Sequence, residues 1–309
     1  MESIEALPVS CDIPSCTLSA MVMLNIQGMD PSPSSKSSWK IPYLQQLVDD
    51  SPEFIPFLSI SETWLKGYMS DAQMTIKNYN IFRCDRKSRI RGGVALYIHN
   101  SITVDDFFHF DNKYCEAGVA HLKSSKTILA VFYRPQKCSL SDFTEALHFV
   151  EEKMSNYDES YSFVITGDFN FPNICWESTT VSHDCSKVTS DSALHLLKFM
   201  EKFLLNQVIE IPTRINNILD VLLTNKHDLV LDVTSVKSLI SDHNVIKIPL
   251  AYSFGHQCAK TNQINSHPNN EKSFKCLDFS KADYNLIASA LNKVDWDEIK
   301  SECSPDDFR

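Results

Sequence analysis

Short apolar segments recur along this chain, and they constrain its fold more than any other feature of the sequence. They have the length of β-strands and lie at residues 21–26, 57–60, 94–98, 127–133, 163–166, 219–223 and 245–250. Several are apolar on both faces, which is typical of strands buried in a sheet. Residues 143–154 and 193–203 instead repeat apolar side chains with the period of an α-helix. The pattern predicts an α/β fold of buried sheets and helices.

Polar side chains occur at the ends of five of these predicted strands. They are Asn25, Glu62, Tyr133, the pair Asp168 and Asn170, and the pair Asp242 and His243. Because α/β enzymes hold their active sites at strand ends, we expect these side chains to share one site. Taken singly, Glu62 and Asn25 are weak signals, since a polar residue after a strand is more often exposed or caps a helix.

The strongest of these signals is Gly167-Asp168-Phe169-Asn170, which follows a strand of buried character. Glycine gives the backbone freedom there. The two short, oxygen-bearing side chains lie two residues apart, so in an extended chain they face the same side. We interpret the motif as part of an active site, with a structural Asx turn as the alternative.

A histidine paired with carboxylates is the second strong signal. His243 follows Asp242 directly, and Asp220 lies at the start of another predicted strand. A carboxylate beside an imidazole raises the pKa of the ring and fixes its tautomer, so the pairing predicts a charged histidine. The sequence has no Cys-x-x-Cys pair and no other zinc-type spacing. Oxygen ligands without thiolates favour Mg²⁺ or Mn²⁺ as the cofactor.

Charge is distributed unevenly along the chain. The formal net charge is −10, yet residues 83–91 carry five basic side chains and one acid. A local basic patch on an acidic protein fits a phosphate-rich ligand that is bound at one place. The alternative for a run this short is a solvated loop between strands.

The cysteines and the lengths of the apolar stretches indicate the cellular compartment of the protein. The ten cysteines form no Cys-x-x-Cys pair and follow no secretory start, so they are typical of reduced thiols in an intracellular protein. The sequence contains no run of about 18 apolar residues, which a transmembrane helix requires. We therefore expect an intracellular protein with no membrane partner.

Composition also indicates how the chain is divided. Residues 1–20 lack sustained periodicity and are expected to form a disordered leader. Residues 21–252 contain all the predicted strands and are expected to form one domain. Residues 253–309 begin with a stretch rich in Asn, Gln, His and Ser, and are expected to form a polar linker and a helical connector.

Taken together, these motifs resemble the endonuclease/exonuclease/phosphatase superfamily, a group similar to apurinic endonucleases and DNase I. More narrowly, they resemble the endonuclease domain of non-LTR (LINE-type, jockey-like) retrotransposons. The motifs are Ser61-Glu62-Thr63-Trp64-Leu65, Arg83-Cys84-Asp85-Arg86 with Gly92-Gly93-Val94-Ala95, Tyr133-Arg134-Pro135, Gly167-Asp168-Phe169-Asn170, Pro212-Thr213-Arg214, Leu219-Asp220-Val221-Leu222 and Ser241-Asp242-His243. The resemblance covers about residues 21–252 and implies a four-layer α/β sandwich of two packed mixed β-sheets flanked by helices.

The resemblance also implies a function and a role for each residue. It implies a Mg²⁺-dependent endonuclease, with Mn²⁺ as an alternative metal, that nicks double-stranded DNA in the nucleus and leaves a 3′-hydroxyl. Glu62 and Asn25 would bind the metal, Asp168 would take the proton of the attacking water, and Asn170 would hold that water or a phosphate oxygen. His243, oriented by Asp220, would stabilise charge on the phosphate, Tyr133 would hydrogen-bond to it, and Asp242 would assist the metal or the leaving group. The residues expected to grip the DNA backbone are Arg83, Arg86, Arg89, Arg91, Arg134 and Thr213.

Two alternatives remain open at this stage. The same core residues occur in phosphoesterases that act on small molecules or lipid headgroups, and fold alone does not fix the substrate. A catalytically idle copy that only binds DNA or a protein is the other alternative.

The C-terminal tail, residues 253–309, resembles the connector that precedes a reverse transcriptase, and no Tyr/Phe-x-Asp-Asp motif follows it. On the sequence alone, the chain is expected to be a truncated copy that carries only the nicking module.

Overall fold

The computed structural model of the protein describes residues 19–32, 34–87, 90–177, 180–181 and 187–251. The chain divides into two units, Met1–Cys258 and Ala259–Arg309, and every described residue belongs to the first. Of the predicted leader, residues 1–18 lie outside the described residues, whereas Ser19 and Ala20 already belong to the first strand. The predicted linker and connector, residues 253–309, also lie outside them.

The described chain contains fourteen β-strands and three α-helices. In chain order they are β1 (Ser19–Asn25), α1 (Lys40–Asp49), β2 (Phe57–Ser61), β3 (Tyr79–Cys84), β4 (Val94–His99), β5 (Asp106–Asp111), β6 (Glu116–Leu122), β7 (Thr127–Tyr133), α2 (Leu140–Met154), β8 (Ser162–Asp168), β9 (Ile174–Cys175), β10 (Thr180–Val181), α3 (Lys187–Lys202), β11 (Asn206–Gln207), β12 (Asp220–Thr224), β13 (Thr234–Val236) and β14 (Val245–Leu250).

Most of these strands form two mixed sheets. The first sheet has the order β13-β14-β1-β2-β4-β3, and the second has the order β11-β12-β8-β7-β6-β5. In the first sheet β1 and β2 are parallel, and in the second β7 and β8 are parallel, while the other neighbours are antiparallel. Each sheet therefore has one central parallel pair, whose strands end at the same edge.

Three apolar cores hold the layers together. The core between the sheets includes Met23 of β1, Leu96 of β4 and Val131 of β7. The outer face of the first sheet packs against Leu44 of α1. On the outer face of the second sheet, a further core includes residues of α2 and α3, among them Phe143. Burial of these side chains is the main favourable term in folding. The order helix, sheet, sheet, helix confirms the four-layer α/β sandwich.

The elements agree with the sequence pattern where that pattern is apolar. Each predicted strand is present with its ends within two residues of the prediction, and both predicted helices are present as α2 and α3. The pattern did not predict α1, β3, β5 or β6, whose sequences mix polar and apolar side chains. No helix in the described ranges is long and apolar enough to cross a membrane.

Candidate active site

The central parallel pairs of the two sheets bring the predicted side chains to one edge. Asn25 ends β1 opposite Ser61 of β2, and Tyr133 ends β7 opposite Asp168 of β8. Asp220, the first residue of β12, is paired with Asp168 from the other side. A cleft of about 750 Å³ opens at this edge, and Glu62, Tyr133, Asp168 and Asn170 are among the residues that line it.

Asn25 joins the two sheets at the base of this cleft. Its amide nitrogen donates to Glu62 Oε1 over 2.9 Å and to Asp168 Oδ2 over 2.8 Å. Its carbonyl oxygen accepts a bond of 3.2 Å from the backbone N–H of Gln27, which fixes the orientation of the amide. Because Asn25 is fully buried, these bonds hold the two carboxylates in a defined relation.

Glu62 is held from its other side by Trp64. The indole Nε1 donates to Glu62 Oε2 over 3.0 Å, while Oε1 accepts from Asn25. The backbone of Glu62 has a φ of +53°, a left-handed conformation that is uncommon for this residue type and often marks functional sites. Each carboxylate oxygen keeps capacity for a further partner, so Glu62 could bind a cation.

The motif Gly167-Asp168-Phe169-Asn170 forms both a turn and part of the site. Gly167 has a φ of +137°, and a Cβ there would overlap the backbone of Phe132, so only glycine fits without a shift. Asp168 Oδ1 accepts the backbone N–H of Asn170 over 3.0 Å, as in an Asx turn. Asp168 Oδ2 faces Asn25. The Asx turn therefore does not exclude the active-site interpretation, because it orients the carboxylate.

His243 and Asp220 form a buried hydrogen-bonded pair. His243 Nδ1 lies 2.7 Å from Asp220 Oδ2, and the ring is 1% exposed. Burial by itself lowers the pKa of His243, but the hydrogen bond and charge of Asp220 outweigh it and raise this pKa to about 9. The structure therefore supports the predicted charged imidazole.

The free nitrogen of this ring faces two further carboxylates. His243 Nε2 lies 3.9 Å from Asp168 Oδ2 and 3.9 Å from Asp242 Oδ1. Burial and then the charge of Asp220 raise the pKa of Asp168, whereas His243 acts in the opposite direction. Asp168 is thus a carboxylate with a stronger affinity for a proton than an exposed aspartate has, which suits a general base.

Asp242 brings two residues to the cleft that the sequence analysis did not assign. Its carboxylate accepts from Gln27 Nε2 over 2.7 Å and from Arg214 Nη2 over 2.6 Å. Arg214 is 37% exposed, so its guanidinium can meet a ligand from solution. Arg214 lies in the motif Pro212-Thr213-Arg214, and that motif was the available signal. No comparable signal marked Gln27.

Four residues predicted to grip DNA have partners inside the protein. Arg83 pairs with Asp71 over 3.0 Å, and Arg86 pairs with a buried carboxylate. Arg134 is fully buried and donates to backbone carbonyls. The hydroxyl of Thr213, also buried, accepts from backbone N–H groups. Arg134 and Thr213 have no exposed surface, whereas Arg86 lines the cleft with its guanidinium bound to Glu116.

Of the remaining two predicted arginines, the structure describes Arg91 but not Arg89. Arg91 lines the cleft, and its guanidinium carbon lies 5.1 Å from the ring centroid of Trp64. Arg89 lies outside the described residues. Of the three arginines that line the described cleft, Arg86 is paired with buried Glu116, so Arg91 and Arg214 are the better candidates for contact with an incoming ligand.

The chemistry of the donor atoms fits a hard divalent cation. Carboxylate oxygens of Glu62 and Asp168 lie on either side of the Asn25 amide nitrogen at the base of the cleft, without a sulfur ligand beside them, and carboxylate oxygens are typical ligands of Mg²⁺ or Mn²⁺. Asp168, Asp220 and His243 also offer ligand atoms within 4.8 Å of one another. We interpret that buried trio as a proton-handling group, because His243 Nδ1 is already bonded to Asp220. Glu62 is the better candidate for holding a metal, and Asn25 could join it only through its side-chain oxygen, which here accepts from the backbone N–H of Gln27.

Comparison with known proteins agrees with this arrangement. Residues 127–247 match a family described as "Endonuclease-reverse transcriptase". Four of the six strands of the second sheet (β7, β8, β11 and β12) and the Asp220–His243 pair lie in this segment. The chain has the endonuclease/exonuclease/phosphatase fold. The resemblance to the endonuclease domains of non-LTR retrotransposons is confirmed, and no curated protein matches the sequence significantly.

Solved structures share the fold at low sequence identity. The 3′ phosphatase NExo from Neisseria, bound to product DNA hairpin, has a TM-score of 0.55 at 15% identity, covering 75% of this chain and 99% of its own. The endonuclease domain of TRAS1, a telomere-specific non-LTR retrotransposon, has a TM-score of 0.52 at 14% identity, covering 75% and 98%. The AP endonuclease LMAP from Leishmania major has a TM-score of 0.54 at 13% identity, covering 77% and 89%. The chain is thus similar in fold to nucleases and phosphatases.

Proposed function

We propose that the protein is a metal-dependent DNA endonuclease that hydrolyses a phosphodiester bond in one strand of double-stranded DNA. The observation that carries the proposal is the buried Asp220–His243 pair, whose free nitrogen faces Asp168 at the base of an open cleft that also holds Glu62. A charged imidazole, a carboxylate with a raised pKa and a cation-binding carboxylate are the groups that phosphodiester hydrolysis requires.

The protein's own groups can be assigned to the steps of this reaction. Asp168 takes a proton from the attacking water, and its raised pKa favours that transfer. Asn170 lies beside it in the cleft and holds the water or a phosphate oxygen. The water oxygen bonds to phosphorus, and the bond from phosphorus to O3′ breaks. The departing O3′ takes up a proton from solvent, and the products are a 3′-hydroxyl and a 5′-phosphate.

Two further groups stabilise the transition state. His243 keeps its proton at neutral pH and offsets the negative charge that develops on the phosphate oxygens. Burial, followed by the charges of Glu62 and Asp168, raises the pKa of Tyr133. Its hydroxyl therefore remains a hydrogen-bond donor to the phosphate. Asp242 lies at the rim, where it holds Arg214 and can assist the leaving group.

A divalent cation belongs at Glu62 and Asn25 in this proposal. Such an ion supplies Lewis-acid stabilisation of the developing charge when it is bound. We propose Mg²⁺, with Mn²⁺ as a substitute, because the donors in the described cleft are hard oxygens.

DNA is the substrate that the cleft and the comparisons favour. Arg91 and Arg214 line the cleft of an otherwise acidic protein, and these two cationic side chains suit contacts with the phosphates of a DNA backbone. NExo was solved with product DNA, and TRAS1 is a retrotransposon endonuclease. On these grounds we also propose a retrotransposon origin, in which the 3′-hydroxyl would prime reverse transcription.

Analysis of the new strand ends tests this proposal. A labelled DNA duplex is incubated with the protein and Mg²⁺, and the product is offered to a DNA polymerase without any phosphatase treatment. We expect direct extension from the nick, because hydrolysis leaves a 3′-hydroxyl. An internal cut that cannot be extended would contradict the assigned bond cleavage, and release of inorganic phosphate from 3′-phosphate ends without internal cuts would favour a phosphatase instead.

A further inference from the structure

A buried ion pair beside the cleft has no part in the mechanism described above. Arg86 donates from Nε to Glu116 Oε1, and its Nη2 donates to Glu116 Oε2 over 2.9 Å. The same Nη2 also donates to the carbonyl oxygen of Tyr114. Glu116 is 0% exposed and Arg86 is 6% exposed. A bidentate ion pair of this kind fixes the relative orientation of the two side chains as well as the distance between them.

Glu116 joins the two sheets at this point. It begins β6 in the second sheet, and its Oε2 accepts the backbone N–H of Gly93 over 2.9 Å. Gly93 immediately precedes β4 in the first sheet. A Cβ at the neighbouring Gly92 would overlap the guanidinium of Arg86. The glycine pair of the sequence motif is therefore needed where the ion pair lies.

The two glycines in turn hold the segment that carries the candidate metal ligand. Thr63 N donates to Gly93 O over 3.2 Å, and Trp64 N donates to Gly92 O over 2.8 Å. The indole of Trp64 then donates to Glu62 Oε2 over 3.0 Å. A continuous series of bonds thus runs from Glu116 to the carboxylate of Glu62.

A second connection runs from the ion pair to Tyr133. Glu116 lies opposite Tyr133 in the pairing of β6 with β7. The guanidinium carbon of Arg86 lies 5.4 Å from the centroid of the Tyr133 ring, within the range of a cation–π contact. The pair therefore contacts the Tyr133 ring directly and reaches Glu62 through the glycines.

We propose that Glu116 and Arg86 are positioning residues that fix Glu62 for metal binding and Tyr133 for phosphate binding. The inference rests on the proposed function. It gives the motif Arg83-Cys84-Asp85-Arg86 with Gly92-Gly93 a role inside the protein in place of DNA binding. A buried ion pair contributes little net stability compared with apolar packing, whereas it does fix geometry when each charge has several partners.

The indole N–H signal of Trp64 tests the positioning without metal or DNA. The full chain is labelled with ¹⁵N-tryptophan, and the Trp64 signal is assigned with Trp64→Phe. We expect Glu116→Gln to move this signal while leaving that of Trp39, since of these two tryptophans only Trp64 is bonded through the glycines. The matched control is Glu53→Gln, which removes the partner of Lys247 in an ion pair elsewhere on the first sheet. It is expected to leave the Trp64 signal unchanged.

Metal binding provides the second measurement. Calorimetric titration of the metal-free chain with Mn²⁺ is expected to show about tenfold weaker binding for Glu116→Gln, the lower end of the effect seen when groups behind a metal ligand are removed. Glu53→Gln is expected to bind within twofold of the parent. A Glu116→Gln protein whose Trp64 signal and Mn²⁺ affinity both equal those of the parent would overturn the inference.

Arg86→Lys provides a second variant for the case in which Glu116→Gln does not fold. Lysine keeps the positive charge but cannot form the bidentate contact with Glu116, so the Trp64 signal should again move. A folded Arg86→Lys with an unmoved signal would also overturn the inference. If the parent neither binds Mn²⁺ nor nicks DNA while the Trp64 signal moves in Glu116→Gln, the proposed function fails and the positioning by this pair stands.

Discussion

At the scale of single residues, the charge of His243 is set by competition between burial and a carboxylate. Burial disfavours the protonated ring, whereas the 2.7 Å contact with Asp220 favours it and wins, so that the pKa of His243 rises to about 9. Asp168 and Asp242 lie further away, each 3.9 Å from Nε2. In the proposed reaction the ring would therefore act as a cation.

The first prediction concerns the pH dependence of nicking. In the parent protein the rate should fall as pH rises through about 9, because His243 then loses its proton. Asp220→Asn keeps a hydrogen-bonding side chain of the same shape but removes the charge, so the fall should occur at a lower pH. Nicking rates measured from pH 6 to 10 test this. Identical profiles for both proteins would exclude a role for the His243 charge.

The same pKa shift predicts how stability depends on pH. The folded-state pKa of His243 is about 9 against an ordinary 6.5, so its contribution is fully present below pH 6.5 and is lost as pH rises through 9. Over that interval the free energy of unfolding should fall by about 3 kcal/mol more in the parent than in Asp220→Asn. Urea denaturation of both proteins at pH 6, 7, 8 and 9 measures the difference. Parallel curves would contradict the assignment.

Arginine substitutions separate ligand-facing residues from internal ones. Arg214→Ala should weaken DNA binding on unrelated sequences and lower the slope of log affinity against log salt by roughly 0.9 for the lost phosphate contact. Arg83→Ala is the control, because Arg83 is paired with Asp71 within the protein, and its slope should equal that of the parent. Equal losses of slope in both variants would instead support the original interpretation of the basic segment as a DNA-binding patch.

At the scale of secondary structure, apolar strands could be predicted and polar edge elements could not. Strand β7, Thr127–Tyr133, is buried along its whole length, and its almost entirely apolar sequence made it recognisable as a buried strand. By contrast, β5 lies at a sheet edge and is half exposed along Asp106–Asp111, so it lacks a continuous apolar signature. The contacts of the basic segment could not be predicted for a related reason. Arg83 pairs with Asp71 and Asp85, and Arg86 pairs with Glu116, 30 residues further along the chain, but the composition of the segment does not show which carboxylates its arginines meet.

Gly167 allows a test of the turn that orients Asp168. Gly167→Ala adds a Cβ that would overlap the backbone of Phe132 and also forces alanine to a φ of +137°. The free energy of unfolding should fall by about 3 kcal/mol or more. Gly67→Ala is the matched control, since nothing lies within 4 Å of its added Cβ, and it should change stability by less than about 0.5 kcal/mol. Thermal denaturation of both variants gives the comparison, and equal stability would show that the turn can relax.

At the scale of the whole molecule, the site exists only where the two sheets meet. Glu62 follows the first sheet, and Asp168, Asp220 and Tyr133 belong to the second. Asn25 connects them with hydrogen bonds of 2.9 and 2.8 Å. The sequence indicated which residues would lie together at the candidate site, because each follows or precedes an apolar strand. It could not indicate the bridging role of Asn25, which depends on how the sheets pack.

The central claim is that this junction performs metal-dependent cleavage of DNA, and nicking of supercoiled plasmid tests it most directly. The parent protein and His243→Ala are compared with Mg²⁺ and with EDTA, after their folding and DNA affinity have been shown to match. We expect the parent to relax the plasmid only with Mg²⁺. We expect His243→Ala to be slower by a factor of about 10²–10³, the scale of losing one group that stabilises transition-state charge. Nicking by the parent in EDTA, or a folded His243→Ala that nicks at the parental rate, would contradict the account.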